Sequence, residues 1–313
     1  MNLKQSTNHI IMVRPKHFNY NEETAKNNYF QRKEEKLSLS EIHEKVAKEF
    51  ESFITQLRKK KINVKVFDDR DDTITTDSIF PNNWVSFHKD GKIVLYPMFS
   101  KNRRKERRKD IIDSLKKEGF CINETIDLTS YEENSLFLEG TGSMVLDRKN
   151  KICYAALSER TSEAVLNQFC KKAKYKPILF HAYQTVFRER KEIYHTNVIM
   201  CVADKYSIIC LDSIDKTSER EKVINSLINT DKEIIEISEE QCNNFSGNSL
   251  QIENINGDKY LIMSQKAYES LNEKQKGKIL SYNEIIYSDL SMIEKLGGGS
   301  ARCMIAENFL EKK

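Results

Sequence analysis

The chain has 313 residues, 39% hydrophobic and 31% charged, with 51 basic against 47 acidic side chains and a net charge of +4. That is enough chain for a large buried core, and so balanced a charge gives no reason to expect nucleic acid as a partner. Residues 1–8 are polar, no run of 18 apolar residues occurs, and the seven cysteines are scattered without a C-x-x-C pair; the expectation is no leader and no membrane span, a disulfide framework and a zinc site are disfavoured, and reduced thiols in the cytoplasm are the simplest reading.

In chain order, His9-Ile10-Ile11-Met12-Val13-Arg14-Pro15 reads as a buried strand. Residues 16–34 are rich in Asn, Tyr and Phe without periodicity and read as a long loop, of the kind that forms lids or binding loops. From about Ser40 to Lys60 the apolar positions Ile42, Val46, Phe50, Phe53 and Leu57 share a helix face, with Ser38 and Glu41 at capping-box spacing before it. Four hairpins follow, at 84–96, 143–156, 198–211 and 249–264. Each precedes a helical pattern, at roughly 103–118, 161–174, 217–228 and 265–280. A last strand is expected from Ala301. The run Arg103-Arg104-Lys105-Glu106-Arg107-Arg108 is the only dense basic patch, and a solvated helix face accounts for it as well as a site does.

The hairpin starts at 84, 143, 198 and 249 lie 59, 55 and 51 residues apart, and Ala301 stands 52 residues further on. This predicts five degenerate units set radially about a shared centre, the fifth closed by the strand at 9–14. No linker composition interrupts them, so a single domain over 1–313 is expected. A polar or glycine cluster precedes each hairpin or strand: Asn82-Asn83, Glu139-Gly140-Thr141-Gly142, His195-Thr196-Asn197, Gly247-Asn248 and Gly299-Ser300. Ordinary turns explain the glycines and asparagines. They do not explain a Glu, a His and, just after the last cluster, Cys303 at equivalent places in one pocket. Cys, His and Glu are the parts of an activated nucleophile.

These features resemble the guanidino-group-modifying superfamily of arginine deiminases, amidinotransferases and dimethylarginine dimethylaminohydrolases, and within it the bacterial citrulline-utilisation hydrolases. The resemblance rests on Met12-Val13-Arg14-Pro15, residues 21–25, Phe80-Pro81-Asn82-Asn83-Trp84, Asn102-Arg103-Arg104-Lys105-Glu106-Arg107, Leu138-Glu139-Gly140-Thr141-Gly142-Ser143, His195-Thr196-Asn197 and Gly299-Ser300-Ala301-Arg302-Cys303-Met304. It implies a five-bladed α/β propeller with the active site at its centre. It also implies Cys303 as nucleophile, His195 as general acid and base, and Glu139 as the carboxylate supporting it. Asp77 would hold a substrate α-amino group, Arg103 and Arg160 an α-carboxylate, and residues 18–30 would cover the substrate. Asn82, Asn83 and Asn197 would face the reacting end, and no metal or cofactor is implied. The remaining histidines, His9, His17, His43, His88 and His181, read as structural or surface residues.

The chain departs from the family pattern where it carries amides. The positions of Asn83 and Asn197 are usually aspartates that bracket a guanidinium, and those of Asn82 and Asn83 are acidic in the dimethylarginine enzymes. The expectation is therefore a C–N hydrolase of an α-amino acid with a ureido or guanidino end, L-citrulline first. An arginine or methylarginine hydrolase, an amidinotransferase and a non-catalytic amino-acid sensor stay open, as does a homo-oligomer.

Overall fold

The computed structural model describes residues 3–313. Five three-stranded sheets repeat one pattern, in which the middle strand pairs antiparallel with the strand before it and parallel with the strand after it. In the first, Val85–Phe87, Lys92–Leu95 and Glu124–Asp127 pair in that order. Val145–Asp147, Ile152–Ala156 and Lys176–Phe180 form the second, and Met200–Val202, Tyr206–Ile209 and Glu233–Glu236 the third. Leu250–Glu253, Lys259–Ser264 and Glu284–Ser288 form the fourth. The fifth joins both ends of the chain: Ala306–Glu307 pairs with His9–Arg14, which pairs with Asn63–Asp68.

A helix crosses from middle to third strand in every unit, as a parallel pair requires. The longest, Leu39–Lys59, starts from the expected capping box, with Glu41 N donating to Ser38 Oγ and Ser38 N donating to Glu41. Its face of Ile42, Val46, Phe50, Phe53 and Leu57 is buried as the periodicity predicts. First strands of neighbouring units lie side by side: Val145–Asp147 beside Met200–Val202, that strand beside Leu250–Glu253, and Ala306–Glu307 beside Val85–Phe87. The predicted five-bladed α/β propeller is the fold observed. Among the described residues no helix is long and apolar enough to cross a membrane.

The structure corrects the sequence reading in several places. The third strand of each unit was not expected, because such strands as Glu124–Asp127 keep a single buried residue and show no apolar run. The helix expected over 103–118 is a 3-10 turn at Asn102–Glu106 and a helix at Lys109–Lys117, separated by an extended Arg108. The helix over 265–280 breaks at an extended Leu271, after which Asn272 caps Glu273–Leu280. The last strand begins at Ala306; Ala301 to Met304 form a turn. An unforeseen hairpin, Tyr183–Val186 with Glu189–Glu192, lies between the second and third units.

Candidate active site

The turns that lead into the inner strands bring the predicted residues together. Pro81–Asn83 is a 3-10 turn; Glu139 stands at the start of Gly140–Ser143, and His195 at the start of Thr196–Val198. Cys303 sits in the tight turn after Ser300, its amide donating to Ser300 O at 2.9 Å. Gly142 makes the approach possible. A Cβ there would stand 2.4 Å from Asn83 Nδ2 and 2.7 Å from His195 Cε1.

His195 Nε2 lies 2.8 Å from Glu139 Oε2. Burial pushes the Glu139 carboxyl up, but the Arg160 charge and the His195 hydrogen bond outweigh it and hold it well below the usual carboxylate range. An ionised Glu139 only accepts, so Nε2 carries the proton and Nδ1 a lone pair. Glu139 also accepts from Phe99 N at 2.9 Å and from Arg160 Nη1 at 3.4 Å. Burial pushes His195 down to about 4 against the opposing pull of Glu139. The imidazole is therefore neutral near pH 7, with Nδ1 free to take up a proton. The Cys303 Sγ accepts from two amides, Asn248 Nδ2 at 3.1 Å and Asn197 Nδ2 at 3.6 Å.

Two buried amides keep one polar atom each without a partner. Asn83 Oδ1 accepts from Arg103 Nη1 at 2.9 Å, which fixes Nδ2 as an unpartnered donor. Asn197 Nδ2 donates to Thr141 O at 3.2 Å, which fixes Oδ1 as an unpartnered acceptor. Asn82 is fully buried with both amide atoms unpartnered. Asn82, Asn197 and Glu139 stand behind the cavity wall and do not line it, whereas Asn83, His195 and Cys303 do.

The charged residues gather at the other end. Asp77 Oδ2 accepts from Asn21 Nδ2 at 2.7 Å and lies 3.6 Å from Arg103 Nε, while Oδ1 is buried without a partner. Burial raises the Asp77 carboxyl against the Arg103 charge. Arg103 is clasped by Glu106, with Nε and Nη2 at 2.9 and 2.8 Å from its two oxygens. Arg160 gives Nη2 to Thr24 O at 2.7 Å and Nε to Asn27 Oδ1 at 2.9 Å. Both arginines thus line the same cavity as His195 and Cys303, with most of their donors engaged by protein. The basic run is not a solvated helix face: Arg103 is 3% exposed, and Arg104 and Arg107 both pair with Glu132.

The 16–34 segment seals this pocket. Asn28 Nδ2 donates to Gly297 O at 3.2 Å, Gln31 Nε2 to Leu296 O at 2.8 Å, and Arg32 N to Lys295 O at 2.6 Å. Thr24, Asn28, Asp77, Asn83, Arg103, Arg160, Tyr194, His195 and Cys303 are among the residues enclosing a cavity of about 20 Å³, room for roughly one water. Loading any molecule larger than a water therefore requires the segment to move. Wider clefts exist, one of about 670 Å³ between Phe30, Gln184 and Glu294, but Cys303, His195 and Asp77 line the small one. Sequence reasoning missed Glu106, legible as an i,i+3 partner of Arg103, and Asn27, for which the sequence held no signal. His88 is buried against Ser86 Oγ at 2.8 Å, outside the cavity.

Comparison with known proteins gives the same lineage. The chain covers 97% of its own length on the apo structure of ArgZ, an arginine dihydrolase from cyanobacteria, with a TM-score of 0.72 and 16% identity. It spans 41% of that protein but 99% of its isolated N-terminal domain, whose substrate-bound cysteine-to-serine variant matches with a TM-score of 0.71 and 17% identity. A dimethylarginine dimethylaminohydrolase carrying an S-methyl-L-thiocitrulline adduct matches over 96% of the chain, with a TM-score of 0.60 and 14% identity. At these identities the likeness establishes the fold. No curated protein matches the chain significantly. The family model described as N,N dimethylarginine dimethylhydrolase, eukaryotic, matches residues 14–310. The chain therefore belongs to that family, within the guanidino-group-modifying superfamily of enzymes.

Proposed function

We propose that the chain is a cysteine-dependent C–N hydrolase acting on an α-amino acid, with L-citrulline its preferred substrate. The observation that carries this is the polarity of the reacting end. Asn83 Nδ2 is an unpartnered donor and Asn197 Oδ1 an unpartnered acceptor. A ureido group presents one oxygen acceptor and NH donors, so it satisfies both. A guanidinium has donors only and would leave Asn83 Nδ2 facing another donor. The charge agrees, because Glu139 is already paired with Arg160 at 3.4 Å and leaves little net negative charge for a cation.

In this reading Cys303 gives its proton to the neutral His195, and Sγ bonds the ureido carbon. The imidazolium so formed protonates the departing nitrogen as the C–N bond breaks. Neutral again, His195 takes a proton from water, which attacks the thiol-linked carbon and displaces Sγ. The resulting carbamate falls apart, so that citrulline and water give ornithine, carbon dioxide and ammonia. Asp77 holds the α-amino group, and Arg103 and Arg160 the carboxylate once the 16–34 segment rearranges. One catalytic domain working in the cytoplasm, where Cys303 stays reduced, suits this chemistry.

The second reading is arginine, favoured by the arginine dihydrolase fold relatives. The test is kcat/KM for citrulline, arginine, dimethylarginine and agmatine, following ornithine and ammonia by mass spectrometry. Citrulline is expected to be turned over best and agmatine worst. A native preference for arginine overturns the substrate and leaves the Cys303 chemistry standing.

A further inference from the structure

Asn248 is a cluster residue to which neither the sequence reading nor the family resemblance gives a role. Gly247 lets its turn press against the third unit, since a Cβ there would stand 2.3 Å from Val198 O. Asn248 is thereby placed beneath the turn that carries Asn197 and is 1% exposed. Its Nδ2 donates to Asn197 O at 3.2 Å, and its Oδ1 accepts from Arg302 N at 3.1 Å. One partner is a backbone carbonyl and the other a backbone N–H, so the amide has a single permitted orientation. The third contact, Nδ2 to Cys303 Sγ at 3.1 Å, must then be a donation to sulfur. Asn197 Nδ2, held by Thr141 O, adds a longer one.

Hydrogen bonds to the charged form of a group favour that form, so donors fixed on Sγ favour thiolate over thiol and aim its lone pair. The same donors stabilise Sγ again when it leaves the carbon in the second half of the reaction. No proton passes to or from Asn248; it keeps both N–H bonds throughout. We infer that Asn248 is a further catalytic residue of this site, stabilising the Cys303 sulfur as its proton passes to His195 and fixing its direction of attack. The inference rests on Cys303 being the nucleophile.

The experiment is the pH profile of Cys303 alkylation by iodoacetamide, read by peptide mass spectrometry in the native protein, Asn248→Asp and Asn248→Ala. Asp keeps the size and the acceptor for Arg302 N while removing the donor. In both variants the profile is expected to move to higher pH. Labelling at pH 7 should slow about 10- to 100-fold, the scale of one hydrogen bond to a charged group. The falls in kcat should match, while the other six cysteines label at native rates. An unmoved profile in the variant that retains native melting overturns the role of Asn248 alone. If native Cys303 labels no faster than the other cysteines, the nucleophile assignment falls and this inference with it.

Discussion

The two ends of the pocket are built on opposite principles. At one end, Asp77, Arg103, Glu106 and Arg160 are buried charges, each tied to another charge or to the 16–34 segment. At the other, the hydrogen-bond partners of the Cys303 thiol are amides, and the carboxylate beside His195 is already balanced by Arg160. In the proposed reading, charges recognise what all α-amino acids share, and fixed amide dipoles discriminate the side chain, because a donor misplaced by one atom leaves a buried group unpaired.

The strongest way to break this division is to remove the chemistry and keep the charges. Cys303→Ser and His195→Ala should each cost about 10⁴-fold or more in kcat, with the double variant no worse than the poorer single one. Substrate binding by calorimetry should persist. Full activity in the serine variant would sink the assignment.

Arg103→Ala attacks the other end. It strands Glu106 and Asp77 in the interior, and the expected loss of stability is about 3–5 kcal/mol, measured by denaturant titration. A loss below about 1 kcal/mol would mean that this end is wetter than the burial implies.

Acid separates the ends in a third way. His195 is pushed down to about 4, from an ordinary value of 6.5. Between these values the unfolded chain binds a proton that the folded chain does not. Stability should therefore fall as pH drops from about 6.5 to 4, by about 3 kcal/mol from this residue. His88, lowered by burial, acts in the same direction. The readout is thus the difference between wild type and His195→Gln, which should show a shallower dependence; parallel curves would contradict a neutral His195.

The finest test exchanges the principle itself. Changing Asn83 and Asn197 together to Asp should lower the citrulline-to-arginine ratio of kcat/KM by about 10- to 100-fold, the scale of one or two polar mismatches. An unchanged ratio would move the discrimination elsewhere in the pocket.

Much of this was legible in the chain. The spacing of hairpins and the clusters before them gave the fivefold plan, since each unit repeats one local pattern of alternation, turn and helix. The third strands stayed hidden because their burial comes from a neighbouring middle strand and not from an apolar run. The breaks at Arg108 and Leu271 were hidden because extended backbone there answers to packing around the helix ends, which periodicity does not record.

By itself the sequence determined the identities: a thiol, an imidazole, a carboxylate and four amides at equivalent turns of repeated units. Only the tertiary structure decided what those groups do to one another. Whether an amide presents its nitrogen or its oxygen is set by partners far along the chain. Asn248 lies 55 residues from Cys303, and Asn83 lies 20 residues from the arginine that turns it. Likewise His195 is neutral because the closed pocket strips its water away, an effect of burial that no single residue carries.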